Sequence, residues 1–72
     1  MTPIEEFSDM MPALHRVADT ICRNFPLPEH KSVRFDLFIA AACEESKVRQ
    51  HHTTELVPFF QHFMNSFEST RK

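Results

Sequence analysis

Four side chains that can bind a transition metal lie in the second half of the chain: Cys43, His51, His52 and His62. A protein zinc site needs three or four ligands at characteristic spacings, such as CxxC or two histidines one helical turn apart. Here His51 and His52 are adjacent and neither spacing occurs. We therefore predict no metal site and interpret both residues as part of an interhelical loop, where one makes a cap or a polar contact. If a metal binds, we expect it at a dimer interface that brings two His51-His52 pairs together.

Groups that could catalyse a reaction are also sparse. A cysteine nucleophile needs a base and an orienting group in an open cleft, but Cys22 and Cys43 stand among apolar neighbours. The adjacent carboxylates at 5–6 and 44–45 point to different helix faces, which makes them poor acid–base pairs. Because the chain has no glycine, it has no glycine-rich phosphate-binding loop. We predict a protein that is not an enzyme, uses no cofactor and keeps its cysteines reduced.

Basic residues near the central segment suggest an alternative function. Arg34, Lys47 and Arg49 could contact nucleic acid, although acidic residues alternate with them and the net charge is -2. The run IAAACEESK superficially resembles the helix-turn-helix of TetR-type regulators. Glu44 and Glu45 stand where that motif has its turn glycine and an apolar residue, so we assign no family. A small DNA-binding transcriptional regulator that uses the basic end of the central helix remains the alternative.

The last segment is unusually rich in phenylalanine and methionine. Large aromatic and thioether side chains form cores, and they also anchor protein–protein interfaces. Both interpretations stay open: packing in the core or a dimer, or a helical surface that docks onto a partner. We predict a non-catalytic protein–protein interaction module, a small regulator, inhibitor or adaptor that occludes a partner protein. The candidate interface residues are Phe35, Phe38, Ile39, Phe59, Phe60, Phe63, Met64 and Phe67.

Helices must position these side chains. The 72 residues suffice for one domain, 1–72, and the lack of glycine and of alternating β-branched residues predicts an all-α fold. We expect three main helices with antiparallel neighbours, at about 3–24, 29–50 and 55–69. Thr2 and Glu5 form a capping box at the first start. Pro12 predicts a kink or a split, and Thr54 is expected to cap the last helix with Pro58 in its first turn.

The apolar pattern predicts more buried surface than one copy can cover. Along the first helix, apolar residues alternate at spacings of three and four from Ile4 to Phe25, as in a coiled-coil seam. The central helix is apolar on almost every side between Phe35 and Cys43, which is typical of a helix buried on several sides. We therefore predict a helical homodimer with a self-complementary interface.

The sequence also carries signals about location. No basic and apolar leader begins the chain, and no run of about 18 apolar residues occurs. We expect a cytoplasmic protein with no membrane contact, of the size common among regulators encoded by phages or plasmids.

Overall fold

The computed structural model describes residues 2–70, which form three α-helices joined by two short linkers. Helix α1 spans Pro3–Asn24, α2 spans Lys31–Val48 and α3 spans Thr53–Thr70, and a short 3-10 turn, Pro28–His30, leads directly into α2. Within the described range there is no β-strand. The all-α prediction with three main helices is confirmed, with α2 two residues shorter at each end than expected.

The start of α1 is capped as the sequence predicts. The backbone amide of Glu5 donates a hydrogen bond to the Thr2 hydroxyl at 3.2 Å, and that hydroxyl lies 3.1 Å from the Glu5 carboxylate. The helix continues through Pro12, so the predicted split does not occur. Because Pro12 has no amide N–H, the carbonyl of Ser8 lacks the hydrogen bond that it would otherwise accept. Both residues are exposed, and water can therefore satisfy that carbonyl.

The start of α3 differs from the prediction. The helix begins at Thr53, so Thr54 lies inside the first turn and is not the cap. Pro58 is the sixth helical residue and therefore lies beyond the first turn. The Thr53 hydroxyl hydrogen-bonds to the Ser46 hydroxyl at 2.8 Å, which ties the start of α3 to the end of α2. The helix therefore begins two residues before the predicted start at 55.

The core receives side chains from all three helices. At its centre the ring of Phe38 in α2 stacks on Phe63 in α3, with ring centres 5.5 Å apart and planes 7° from parallel. Burying one large apolar side chain contributes about 1.5–3 kcal/mol. The burial of the core side chains together is therefore the main contribution to stability. The buried cluster comprises Met10, Leu14, Ala18, Cys22, Phe38, Ala42, Leu56, Phe60, Phe63 and Met64.

Burial within one copy is less extensive than the apolar pattern predicts. Ile4, the first position of the predicted seam, is 66% exposed. Within one copy the buried residues of α2 form one stripe, four residues apart, from Arg34 through Phe38 and Ala42 to Ser46. Only two helices cover α2, so within one copy its opposite face stays open.

Two further features bear on function. The two cysteines are thiols and form no disulfide with each other. None of the three helices is long and apolar enough to cross a membrane.

Candidate functional site

A shallow groove runs between α1 and α3. Its floor is aromatic, since Phe63 and Phe67 lie parallel with ring centres 6.2 Å apart. The His15 ring stands edge-on to Phe63, with centres 4.9 Å apart. Among residues 2–70, the rim is polar and carries no Lys, Arg, Asp or Glu side chain. This aromatic groove has a volume of about 260 Å³ and is lined by Met11, His15, Phe63, Ser66, Phe67 and Thr70.

The structure divides the predicted interface residues into two groups. Phe38, Phe60 and Met64 have no exposed surface, so these three side chains belong to the core, and no partner could contact them in the intact bundle. Phe63 is buried except for the edge that reaches the aromatic groove. The half-buried members are Phe35, Ile39, Phe59 and Phe67. Of these, Phe67 lies in the groove.

Arg34 lies inside the fold, although the sequence suggests a nucleic-acid contact. Its side chain is only 4% exposed, and its Nε donates a hydrogen bond to the Glu68 carboxylate at 2.6 Å. Its Nη1 donates to the carbonyls of Phe25 and Leu27, each at 2.7 Å. The guanidinium therefore binds the first linker to α3 and is not available to a phosphate. Arginine is suited to this because its planar donors can satisfy several acceptors at once.

The other two basic residues are also engaged with acidic groups. Arg49 donates from Nε to Glu45 at 2.9 Å and from Nη1 to Asp9 at 2.7 Å. These hydrogen bonds, Glu45 first and Asp9 second, raise the pKa of Arg49. Lys47 is exposed and lies 3.8 Å from Glu44. The predicted basic end of α2 is thus compensated by acidic neighbours, and Arg34 lies near the opposite end of the same helix.

A polar cluster joins the start of α1 to the linker before α3. We define it as Glu6, Asp9, Arg49, His51 and His52. The carboxylate of Glu6 is buried, accepts a hydrogen bond from the His52 backbone amide at 3.1 Å and lies 3.0 Å from the ring Nδ1. Burial raises the pKa of Glu6, but the His52 hydrogen bonds and the charges of both histidines outweigh that effect and hold it below its ordinary value.

His51 occupies the centre of the polar cluster. Its side chain is 8% exposed, with Nδ1 3.5 Å from Glu6 and Nε2 3.2 Å from Asp9. Hydrogen bonds from Arg49 and then His51 lower the pKa of Asp9. Both loop histidines therefore make polar contacts within the fold. Across the described residues, no three side chains of the ligand types come together in a way that could hold a metal ion.

The sequence reasoning missed the surface that the structure exposes most clearly. We define the α2 face as Val33, Leu37, Ala40, Ala41, Glu44 and Val48. Val33 and Leu37 are each about two-fifths exposed, and Val48 is 76% exposed. Beside this face, α1 and α2 form a groove of about 370 Å³ lined by Arg16, Val17, Thr20, Ile21, Leu37 and Ala41. The sequence analysis expected this helix to be buried on several sides, but it named Phe35, Phe38 and Ile39 as the interface residues of the helix and not the α2 face.

No protein-family model, curated protein or solved structure significantly matches this chain. Its function must therefore be inferred from the surfaces described above.

Proposed function

We propose that the protein is a non-catalytic protein–protein interaction module that binds a partner through the aromatic groove. It acts as a regulator, inhibitor or adaptor in the cytoplasm, of the kind encoded by phages and plasmids, and it occludes a functional surface of the partner. The observation that carries the proposal is the half-buried Phe67 beside Phe63 in a groove with an uncharged polar rim. Aromatic groups surrounded by polar groups are typical of interface anchors.

The occupant that best suits this groove is a helix of the partner protein with one large apolar side chain. Helix-in-groove recognition uses an apolar anchor that enters a cleft between two helices. Met11 and the two aromatic rings supply adaptable apolar contacts, while His15 and Ser66 can hydrogen-bond to the partner at the rim. The alternative function, binding DNA through the basic end of α2, has no such support, because Arg34 and Arg49 are held in ion pairs within the fold.

The finer architecture belongs to the same proposal. Consecutive helices run antiparallel, which is supported by contacts at opposite helix ends: Arg34 near the start of α2 meets Glu68 near the end of α3, and Ser46 near the end of α2 meets Thr53. The protein is also a homodimer, and the exposed apolar area of α2 supports this.

A displayed library of helical peptides tests the groove without knowledge of the natural partner. Ser66→Arg places a long charged side chain at the groove rim and leaves the core intact. Ser69→Arg is the matched control, since Ser69 is also exposed on α3 but lines the cleft near Arg34 instead. We expect enriched peptides with a large apolar anchor that bind wild type and Ser69→Arg equally and Ser66→Arg at least about tenfold more weakly.

Two results would contradict the proposal. One is that no peptide is enriched on the wild-type protein. The other is that enriched peptides bind Ser66→Arg as tightly as Ser69→Arg, which would place their site elsewhere.

A further inference from the structure

The residues of the α2 face are arranged symmetrically along the helix. From Val33 to Val48 the spacings are four, three, one, three and four. Their centre lies between Ala40 and Ala41, and a valine stands at each end. At 100° per residue all six positions fall within an arc of about 100° on the helix. A two-fold axis through this centre would map the face onto itself with the direction of the helix reversed.

We propose that the α2 face binds a second copy of the chain, with the two α2 helices antiparallel about a two-fold axis between Ala40 and Ala41. In this arrangement Val33 lies opposite Val48 of the partner subunit, and Ala40 lies opposite Ala41 of the partner subunit. The small alanines at the crossing point allow the two helix axes to approach closely. The valines cover each other at both ends, so the exposed apolar area becomes buried.

The charges along the edge of the α2 face favour this arrangement. Asp36 and Lys47 are both exposed and lie within about 20° of each other around the helix. Asp36 forms no ion pair within the described chain, and Lys47 only approaches Glu44, at 3.8 Å. The two-fold axis brings Asp36 to within about two residues of Lys47 of the partner subunit, and symmetry produces this pair twice. Such complementarity fixes both register and direction.

Glu44 disfavours the parallel alternative. It lies in the middle of the α2 face, so a parallel pair of α2 helices would place the two Glu44 carboxylates against each other. In the antiparallel arrangement Glu44 lies near Leu37 of the partner subunit and within reach of the exposed arginine, Arg16, that lines the neighbouring groove. A partner of unrelated sequence would account for the apolar area, but it would not account for the symmetric spacing or the charge pattern.

The inference rests on the homodimer proposed above and adds its surface, direction and register. The dimer surface lies apart from the aromatic groove, so it can fail while peptide binding to the groove succeeds. Each dimer would carry two grooves. Two linked sites can raise the apparent affinity for a partner that presents two copies of its helix.

Sedimentation of the full chain over a range of concentrations tests the dimer. The wild-type protein should have a mass about twice the 8.5 kDa of one chain. Ala40→Arg should give a monomer with an unchanged helical circular dichroism spectrum, because residue 40 is exposed in one copy. The matched control is Gln61→Arg, at an exposed position of α3, which should leave the dimer intact.

A charge exchange tests the direction and register of the pairing. Asp36→Lys and Lys47→Asp should each raise the dimer Kd about tenfold, since each removes two ion pairs and creates two like-charge contacts. The double variant restores opposite charges and should return the Kd to within about threefold of wild type. A wild-type monomer at about 1 mM chain, a dimer that survives Ala40→Arg, or a double variant no better than the single ones would overturn the proposal.

Discussion

Replacing Arg34 by methionine should destabilise the protein more than any other single change of a charged residue. The substitution keeps most of the apolar stem and removes the guanidinium that bonds to Glu68 and to the carbonyls of Phe25 and Leu27. Breaking a buried ion pair from one side costs about 3–5 kcal/mol. The total stability expected for a domain of this length is roughly 4–11 kcal/mol, so the variant should lose about a quarter of it or more.

Urea denaturation followed by circular dichroism measures this loss. Arg23→Met is the matched control, because Arg23 pairs with Asp19 on the surface, where both side chains are more than half exposed. It should lose no more than about 1 kcal/mol. If the free energy of unfolding of Arg34→Met lies within about 1 kcal/mol of the wild-type value, the buried ion pair does not stabilise the fold as described.

Three further results are expected. Because the pKa of Glu6 is lowered, its carboxylate stabilises the fold above its ordinary pKa, and this stabilisation disappears as the pH falls through the lower folded value. The melting temperature of Glu6→Gln should therefore fall less steeply between pH 7 and pH 3 than that of the wild type. Parallel curves would contradict this. Phe60→Ala should lower the free energy of unfolding, measured in urea, by about 3–5 kcal/mol, because the ring is fully buried. A loss below about 1 kcal/mol would show that Phe60 does not belong to the core. Gln50→Gly should raise the free energy of unfolding by up to about 1 kcal/mol, because Gln50 has a φ of 60°, which glycine adopts at lower cost. A clear loss of stability in the same assay would show that this backbone is not strained.

The fold was largely predictable because its signals are local. Thr2 and Glu5 lie three residues apart, and the cap that they form depends only on that spacing. The number of helices and their approximate positions likewise followed from composition and periodicity. The start of α3 lies two residues before the predicted position, and the Thr53 hydroxyl there contacts Ser46, a partner in another helix. No local rule separates Thr53 from Thr54.

The functional surfaces were less predictable because they depend on which helix covers which face. The apolar pattern of the central helix predicted burial on several sides, but it could not tell which face of α2 receives no neighbour within one copy. In the same way, Arg34 looked like a surface cation, since nothing in the sequence places Glu68 beside it. Long-range pairings of this kind, like that of Glu6 with His52, are set by the assembled bundle.

The bond between the Glu6 carboxylate and the His52 amide has a consequence for the dynamics of the second linker. Linker amides usually exchange with solvent quickly, because they open by local fluctuations. Here the acceptor lies 46 residues away in sequence, at the start of the first helix. The amide of His52 can exchange only after the buried Glu6 carboxylate moves away from it. Its hydrogen exchange should therefore be slower than that of a linker amide exposed to water, and the bond restrains the linker against α1.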